Sequence, residues 1–228
     1  MEAIVLAGGL GTRLRRVMPD VPKPMAPIAG RPFMEILLGL LARKGFSRAI
    51  LSLGFMAERI SDYFGSRHAG IDLAYVVEDT PLGTGGAIRL ASEICTQDHF
   101  FVFNGDTYLD LEAHSVEQQW QTRRNPIVVA KLVPDTTRYG RLAIQDGHIT
   151  DFIEKGVGEP GFINAGCYVL ATDALAHFPL KFPFSIESGY LVPEVARATV
   201  EAFVTEGTFI DIGIPEDYER AQALLSDR

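Results

Sequence analysis

The chain has 228 residues, 47% hydrophobic and 22% charged, a profile that excludes a disordered protein and fits one compact domain over residues 1–228. No apolar run approaches the roughly 18 residues of a membrane span, and Met1-Glu2 leads straight into a strand-like run instead of a signal peptide, so a cytoplasmic protein with no membrane partner is expected. The net charge is −8, yet residues 1–31 hold Arg13, Arg15, Arg16, Lys23 and Arg31 against only Glu2 and Asp20; one basic corner suits a small anionic ligand, whereas nucleic acid wants a broad basic face.

Ala3–Leu6 is a short apolar run ending in glycines, the pattern of a buried parallel strand. Pro32 opens a helix in which Phe33, Ile36, Leu37, Leu40 and Leu41 recur at helical spacing, and Gly45 closes it. The pattern then predicts a strand over 49–53, a helix over 57–64, a strand over 71–77, a helix over 85–94, a strand over 100–103 and a helix over 110–122. Such alternation implies right-handed crossovers and a mostly parallel sheet flanked by helices, a Rossmann-like α/β domain. From Ile127 onward the signals become antiparallel. Strands are expected over 127–132 and 142–144, with Asp146-Gly147 turning a hairpin into 149–154. A strand over 162–170 and a helix over 186–198 follow. Val200–Val204 is expected to pair with Thr208–Ile212 across Glu206-Gly207, and Pro215 to start a last helix reaching Leu225. Cys95 and Cys167 stand in apolar surroundings and read as buried thiols, and the five histidines show no i,i+4 pair for zinc. Trp120 reads as core.

The stretch Leu6-Ala7-Gly8-Gly9-Leu10-Gly11-Thr12-Arg13 carries the first chemical signal. It is not a Walker A loop, because no lysine follows the last glycine, and it lacks the third glycine of a dinucleotide fingerprint. Bare amides at the end of a strand can still cradle a polyphosphate. Pro22 and Pro24 stiffen the backbone around Lys23, which makes sense if its ammonium is aimed at something.

These residues, with Pro22-Lys23-Pro24-Met25, resemble the signature of the sugar-1-phosphate nucleotidylyltransferases, which join a nucleoside triphosphate to a sugar 1-phosphate. Pro81-Leu82-Gly83-Thr84-Gly85-Gly86-Ala87, Asn104-Gly105-Asp106 and Phe209-Ile210-Asp211-Ile212-Gly213 match further blocks in order, so the resemblance spans nearly the whole chain. It implies a GT-A-like nucleotidyltransferase fold. Ile214 departs from the family's usual threonine.

The chemistry asks for these residue types. A sugar phosphate is an anionic nucleophile near neutral pH and needs no general base, in keeping with the lack of a Ser-His-Asp or Cys-His arrangement. What must be overcome is repulsion between two anions, by positioning and by cations. The resemblance implies that Arg13 and Lys23 are the catalytic cations, and that Leu6, Ala7, Gly8, Gly9, Gly11, Thr12, Gly83, Thr84 and Asn104 bind nucleotide. Asp106 and Asp211 are the implied ligands of a magnesium ion, and a carboxylate in the middle of an apolar strand, as at Asp211, asks for a balancing cation. Glu154 and Lys155 are implied to meet the sugar and its phosphate, with Gly140 and Asn164 in the wall around it.

Glu78 stands where the family places its base reader. A carboxylate only accepts hydrogen bonds, and guanine offers adjacent N1–H and N2–H donors, so GTP is favoured. Uracil also presents one N–H, and some uridylyl-transferring relatives carry glutamate here. By its length and blocks the chain is most similar to the D-glycero-α-D-manno-heptose 1-phosphate guanylyltransferases. A uridylyltransferase for an N-acetylated amino sugar 1-phosphate, and a regulatory subunit that binds nucleotide without turnover, are the alternatives. Relatives are often dimers or tetramers, which makes a homo-oligomer an implication of the resemblance.

Overall fold

The computed structural model describes residues 1–9, 21–153 and 158–226. The first half builds β1 (Glu2–Ala7), the small hairpin β2 (Pro27–Ile28) and β3 (Arg31–Pro32), α1 (Phe33–Arg43), β4 (Arg48–Leu53), α2 (Ala57–Phe64), β5 (Arg67–His68), β6 (Ile71–Val77), α3 (Gly83–Ser92) and β7 (His99–Asn104). The second half adds β8 (Thr107–Leu109), α4 (Ala113–Arg123), β9 (Ile127–Val133), β10 (Arg141–Gln145), β11 (His148–Ile153), β12 (Gly161–Ala171), α5 (Val192–Val195), β13 (Glu201–Thr205), β14 (Phe209–Asp211) and α6 (Pro215–Leu224).

Ten strands form one sheet in the order β10-β11-β13-β9-β12-β7-β1-β4-β6-β5. Alternation along β1 sends Ala3 and Val5 into one apolar layer, with Phe33, Leu37, Phe101 and Trp120, and Ile4 into the other, with Ile50, Ile88, Val102 and Leu191. The sheet therefore has a core on each face. Trp120 is buried and stacks on His99 at 5.3 Å, as a core residue should. Cys167 is buried, Cys95 is half-buried, and both are free; burial pushes the Cys95 thiol up to about 12.

The α/β reading holds, but the sheet is mixed instead of mostly parallel. The strands β7, β1, β4 and β6 are parallel neighbours, as the alternating first half requires. β12 then enters antiparallel to both β7 and β9, and β10 pairs with β11 and, at one position, with β12, so the strands from β10 to β12 close on themselves. A near-continuous apolar run such as Phe162–Leu170 announces a strand buried on both faces and says nothing about its direction.

Two further expectations are corrected. The segments around Val200–Val204 and Thr208–Ile212 do not pair with each other: β13 lies parallel to β9, and β14 pairs with β8. The Glu112 carboxylate draws the turn between them away from a hairpin, accepting the Thr205 hydroxyl at 2.5 Å and the Glu206 amide at 3.3 Å. The helix expected over 186–198 is instead a π-helical turn, Glu187–Leu191, followed by the short α5. The Asp146-Gly147 hairpin is present, with both residues at positive φ, the geometry its two-residue turn demands.

Candidate active site

The carboxyl ends of β1, β4, β6 and β7 open at one side of the sheet, the place where open α/β sheets hold ligands. A cavity of about 340 Å³ lies there. Of the residues expected to bind nucleotide, Leu6, Gly8, Gly9, Glu78, Gly83, Thr84 and Asn104 line it, and Ala7 packs into the core instead. Gly11, Thr12 and Arg13 lie outside the described residues. Glu78 accepts the Leu82 amide at 2.7 Å, and burial raises its carboxyl above the ordinary range despite that bond. Gly105 lets β7 turn tightly beside β1, since a Cβ there would meet the Leu6 carbonyl oxygen at 2.6 Å.

A second cavity of about 920 Å³ opens beside the first, over β10, β11 and β12. Gly140, Asn164 and Asp211 line it, and Asn104 belongs to both cavities. Glu154 and Lys155 lie outside the described residues. The bend that shapes this wall is at Gly166, where the β12–β9 register shifts and φ is +70°. A side chain at Gly166 would also overlap the Asn104 amide. Gly166→Ala is therefore expected to cost about 1–3 kcal/mol, read as a lowered melting temperature, and to disturb the shared residue Asn104.

Three side chains meet where the cavities join. Lys23 leaves a 3₁₀ turn, Lys23–Met25, that Pro22 precedes and buried Pro24 anchors. Its side chain is 12% exposed, and its ammonium donates to Asp106 Oδ2 and stands 3.9 Å from Asp211 Oδ1. Strand pairing brings the two carboxylates together: Asp211 on β14 lies opposite Thr107 on β8, and the Ile212 amide donates to the Asp106 carbonyl at 2.9 Å. Asp106 lines the smaller cavity and Asp211 the larger. Burial first, and then the nearby Asp106 charge, raise the Asp211 carboxyl above its ordinary value, with Lys23 and the Gly213 amide acting the other way. Such a pair demands positive charge. Among the described residues no group of three or more His, Cys, Asp or Glu could cage a metal, so the pair suits a hard cation that keeps water and phosphate oxygens as its remaining ligands.

Sequence reasoning missed Arg138, Tyr168 and Glu187, which also line the larger cavity. Arg138 stands two residues before Gly140 and is held by the buried Asp217 on α6. Its neighbourhood was a usable signal. Tyr168 and Glu187 had none, because only the fold brings β12 and the 187–191 turn to one wall.

The described residues contain no helix long and apolar enough to cross a membrane. Residues 2–228 match the model of the Nucleotidyl transferase family. The chain is 38% identical over 226 residues to the D-glycero-alpha-D-manno-heptose 1-phosphate guanylyltransferase of Aneurinibacillus thermoaerophilus, covering 99% of this chain and 98% of that protein. It is 37% identical to the protein of the same name from Campylobacter jejuni, covering 96% and 97%. HddC from Yersinia pseudotuberculosis, solved in complex with GMP-PN, superimposes with a TM-score of 0.88 at 39% identity over 98% of each chain. With its sheet ends, paired carboxylates and full-length match, the chain belongs to the nucleotidyl transferase family.

Proposed function

We propose that residues 1–228 form one nucleotidyltransferase domain that transfers GMP from GTP to D-glycero-α-D-manno-heptose 1-phosphate, releasing pyrophosphate. The observation that carries this reading is the junction of two cavities at Asn104, with Asp106 on one side, Asp211 on the other and the Lys23 ammonium between them. The names of the relatives at 37–38% identity support the base and the sugar.

In this reading the nucleotide occupies the smaller cavity and the sugar phosphate the larger. A phosphate oxygen of the sugar attacks the α-phosphorus in line; the new O–P bond forms as the bond to the β-phosphate oxygen breaks and pyrophosphate departs. No side chain needs to take a proton from the nucleophile, which is already ionised. Lys23 meets the α-phosphate and the departing charge, and Arg13 the β- and γ-phosphates. Asp106 and Asp211 hold magnesium, which when bound neutralises phosphate charge. Glu154 and Lys155 receive the sugar and its phosphate, with Gly140 and Asn164 closing around them.

Glu78, held by the Leu82 amide at the rim of the smaller cavity, accepts from the guanine N–H groups. Glu78→Gln replaces one acceptor with a donor and is expected to lower kcat/KM for GTP about 10- to 100-fold, while narrowing the gap to other triphosphates. The decisive experiment is pyrophosphate release by purified protein with magnesium, across the nucleoside triphosphates and a panel that includes heptose, mannose and N-acetylated amino sugar 1-phosphates. Turnover of UTP with an amino sugar phosphate in preference to GTP with the heptose phosphate would replace this reading. Nucleotide binding without turnover on any sugar phosphate would leave a regulatory subunit.

A further inference from the structure

Glu187 is a carboxylate on the wall of the larger cavity, and among the described residues no Lys or Arg pairs with it. Its partners are two hydroxyls. Tyr168 donates to Oε1 at 2.9 Å, and Ser185 donates to Oε2 at 2.6 Å. The Tyr168 oxygen in turn accepts the Asn164 side-chain amide at 2.7 Å, and Asn164 Oδ1 accepts the Gly166 amide at 3.0 Å. A carboxylate offers about four acceptor positions, so the network fixes the group with two of them and leaves acceptor capacity toward the cavity. The residue also opens the π-helical turn Glu187–Leu191, a distortion that proteins favour at functional sites.

The backbone around Glu187 is tied to the nucleotide side. Phe184 donates to the Leu82 carbonyl at 3.0 Å and accepts the Gly85 amide at 2.9 Å, and the Ile186 amide donates to the Thr84 hydroxyl at 2.9 Å. Leu82 is the residue that holds Glu78. One rigid block thus carries a carboxylate in each cavity.

We propose that Glu187 is a specificity-determining residue that accepts hydrogen bonds from hydroxyls of the sugar, oriented for that task by Tyr168 and Ser185. The inference rests on the nucleotidyltransferase reading and assigns a second acceptor carboxylate to its sugar site. It gives the chain a way to favour hydroxyl-rich sugars over analogues that lack one hydroxyl, because the acceptor position that Tyr168 and Ser185 leave open would then stay unfilled inside the occupied cavity.

The test is a cycle between enzyme and substrate. Wild type, Glu187→Gln and Glu187→Ala are assayed with the sugar 1-phosphate that wild type turns over best, and with its monodeoxy analogues. Glu187→Ala is expected to raise KM for the parent sugar phosphate about tenfold, with KM for the nucleotide within about twofold. The diagnostic is coupling: removing one particular hydroxyl should penalise wild type and leave Glu187→Ala unchanged. Glu187→Gln keeps the volume and one acceptor oxygen, so it serves if the alanine variant melts too low for assay, and it should show the same coupling in weaker form. A loss of equal size on every analogue in both variants means that Glu187 only holds Tyr168 and Ser185, and overturns the inference while leaving the reaction intact. Wild type that releases no pyrophosphate with any sugar phosphate removes the reaction and the inference together.

Discussion

Asp211→Asn is expected to abolish turnover and at the same time to raise the melting temperature of the ligand-free protein. The two effects share one cause. Burial and the Asp106 charge raise the Asp211 carboxyl above its ordinary 3.8, so the folded state holds an ionised group that it disfavours. For an acid raised on folding, the unfolded chain ionises first, and stability falls as pH rises through 3.8 and up to the folded pKa. The cost is complete at neutral pH and absent below about pH 3, where both states are protonated. Asparagine keeps an oxygen for the Gly213 amide, bonded at 2.6 Å, and drops the charge. Thermal melts against pH should show the variant above wild type at pH 7, by roughly 2–4 °C for each kcal/mol of relieved repulsion, and the curves meeting in acid. Turnover should fall by at least about 10²–10³-fold, since the proposed cation seat loses one of its two charges. A variant with normal kcat would remove Asp211 from the metal site. Asp106→Asn should lose turnover as severely but without the gain in stability, because it breaks the ion pair with Lys23.

Lys23→Met is the second large expected effect. The ammonium supplies the positive charge that the two aspartates demand. In the proposed reading a bound triphosphate offers it a stronger partner, whose charge it would then neutralise. Removing it should lower kcat by about 10³-fold, with a smaller change in the KM for sugar phosphate. The same substitution should also tighten binding of a divalent ion in the absence of nucleotide, because two carboxylates then face each other with no cation between them. A manganese titration followed by electron paramagnetic resonance measures this directly. Weaker manganese binding in the variant would show that lysine and metal do not share the space.

The first half of the fold was legible because strand and helix periods alternate there, and the carboxyl ends of β1 and β7 carry their glycines, Asn104 and Asp106 in plain view. Asp211 was legible for a different reason: a charged residue between Ile210 and Ile212 breaks an apolar run. Hydrophobic patterning could not give the direction of β12, or that β14 would choose β8 over β13, since partner and direction depend on turns fixed by distant side chains such as Glu112. Tyr168 and Glu187 were invisible on the same ground. Each is ordinary in its own segment, and only the bend at Gly166 and the docking of Phe184 on Leu82 bring them into one wall.

The pairing of β14 with β8 has a consequence for the birth of the enzyme. The glycine-rich amides and Asp106 emerge early from the ribosome, but Asp211 follows after nearly half the chain has been added. In the proposed reading every residue lining the smaller cavity is therefore translated before the cation seat is complete. On that reading turnover waits for the last strand.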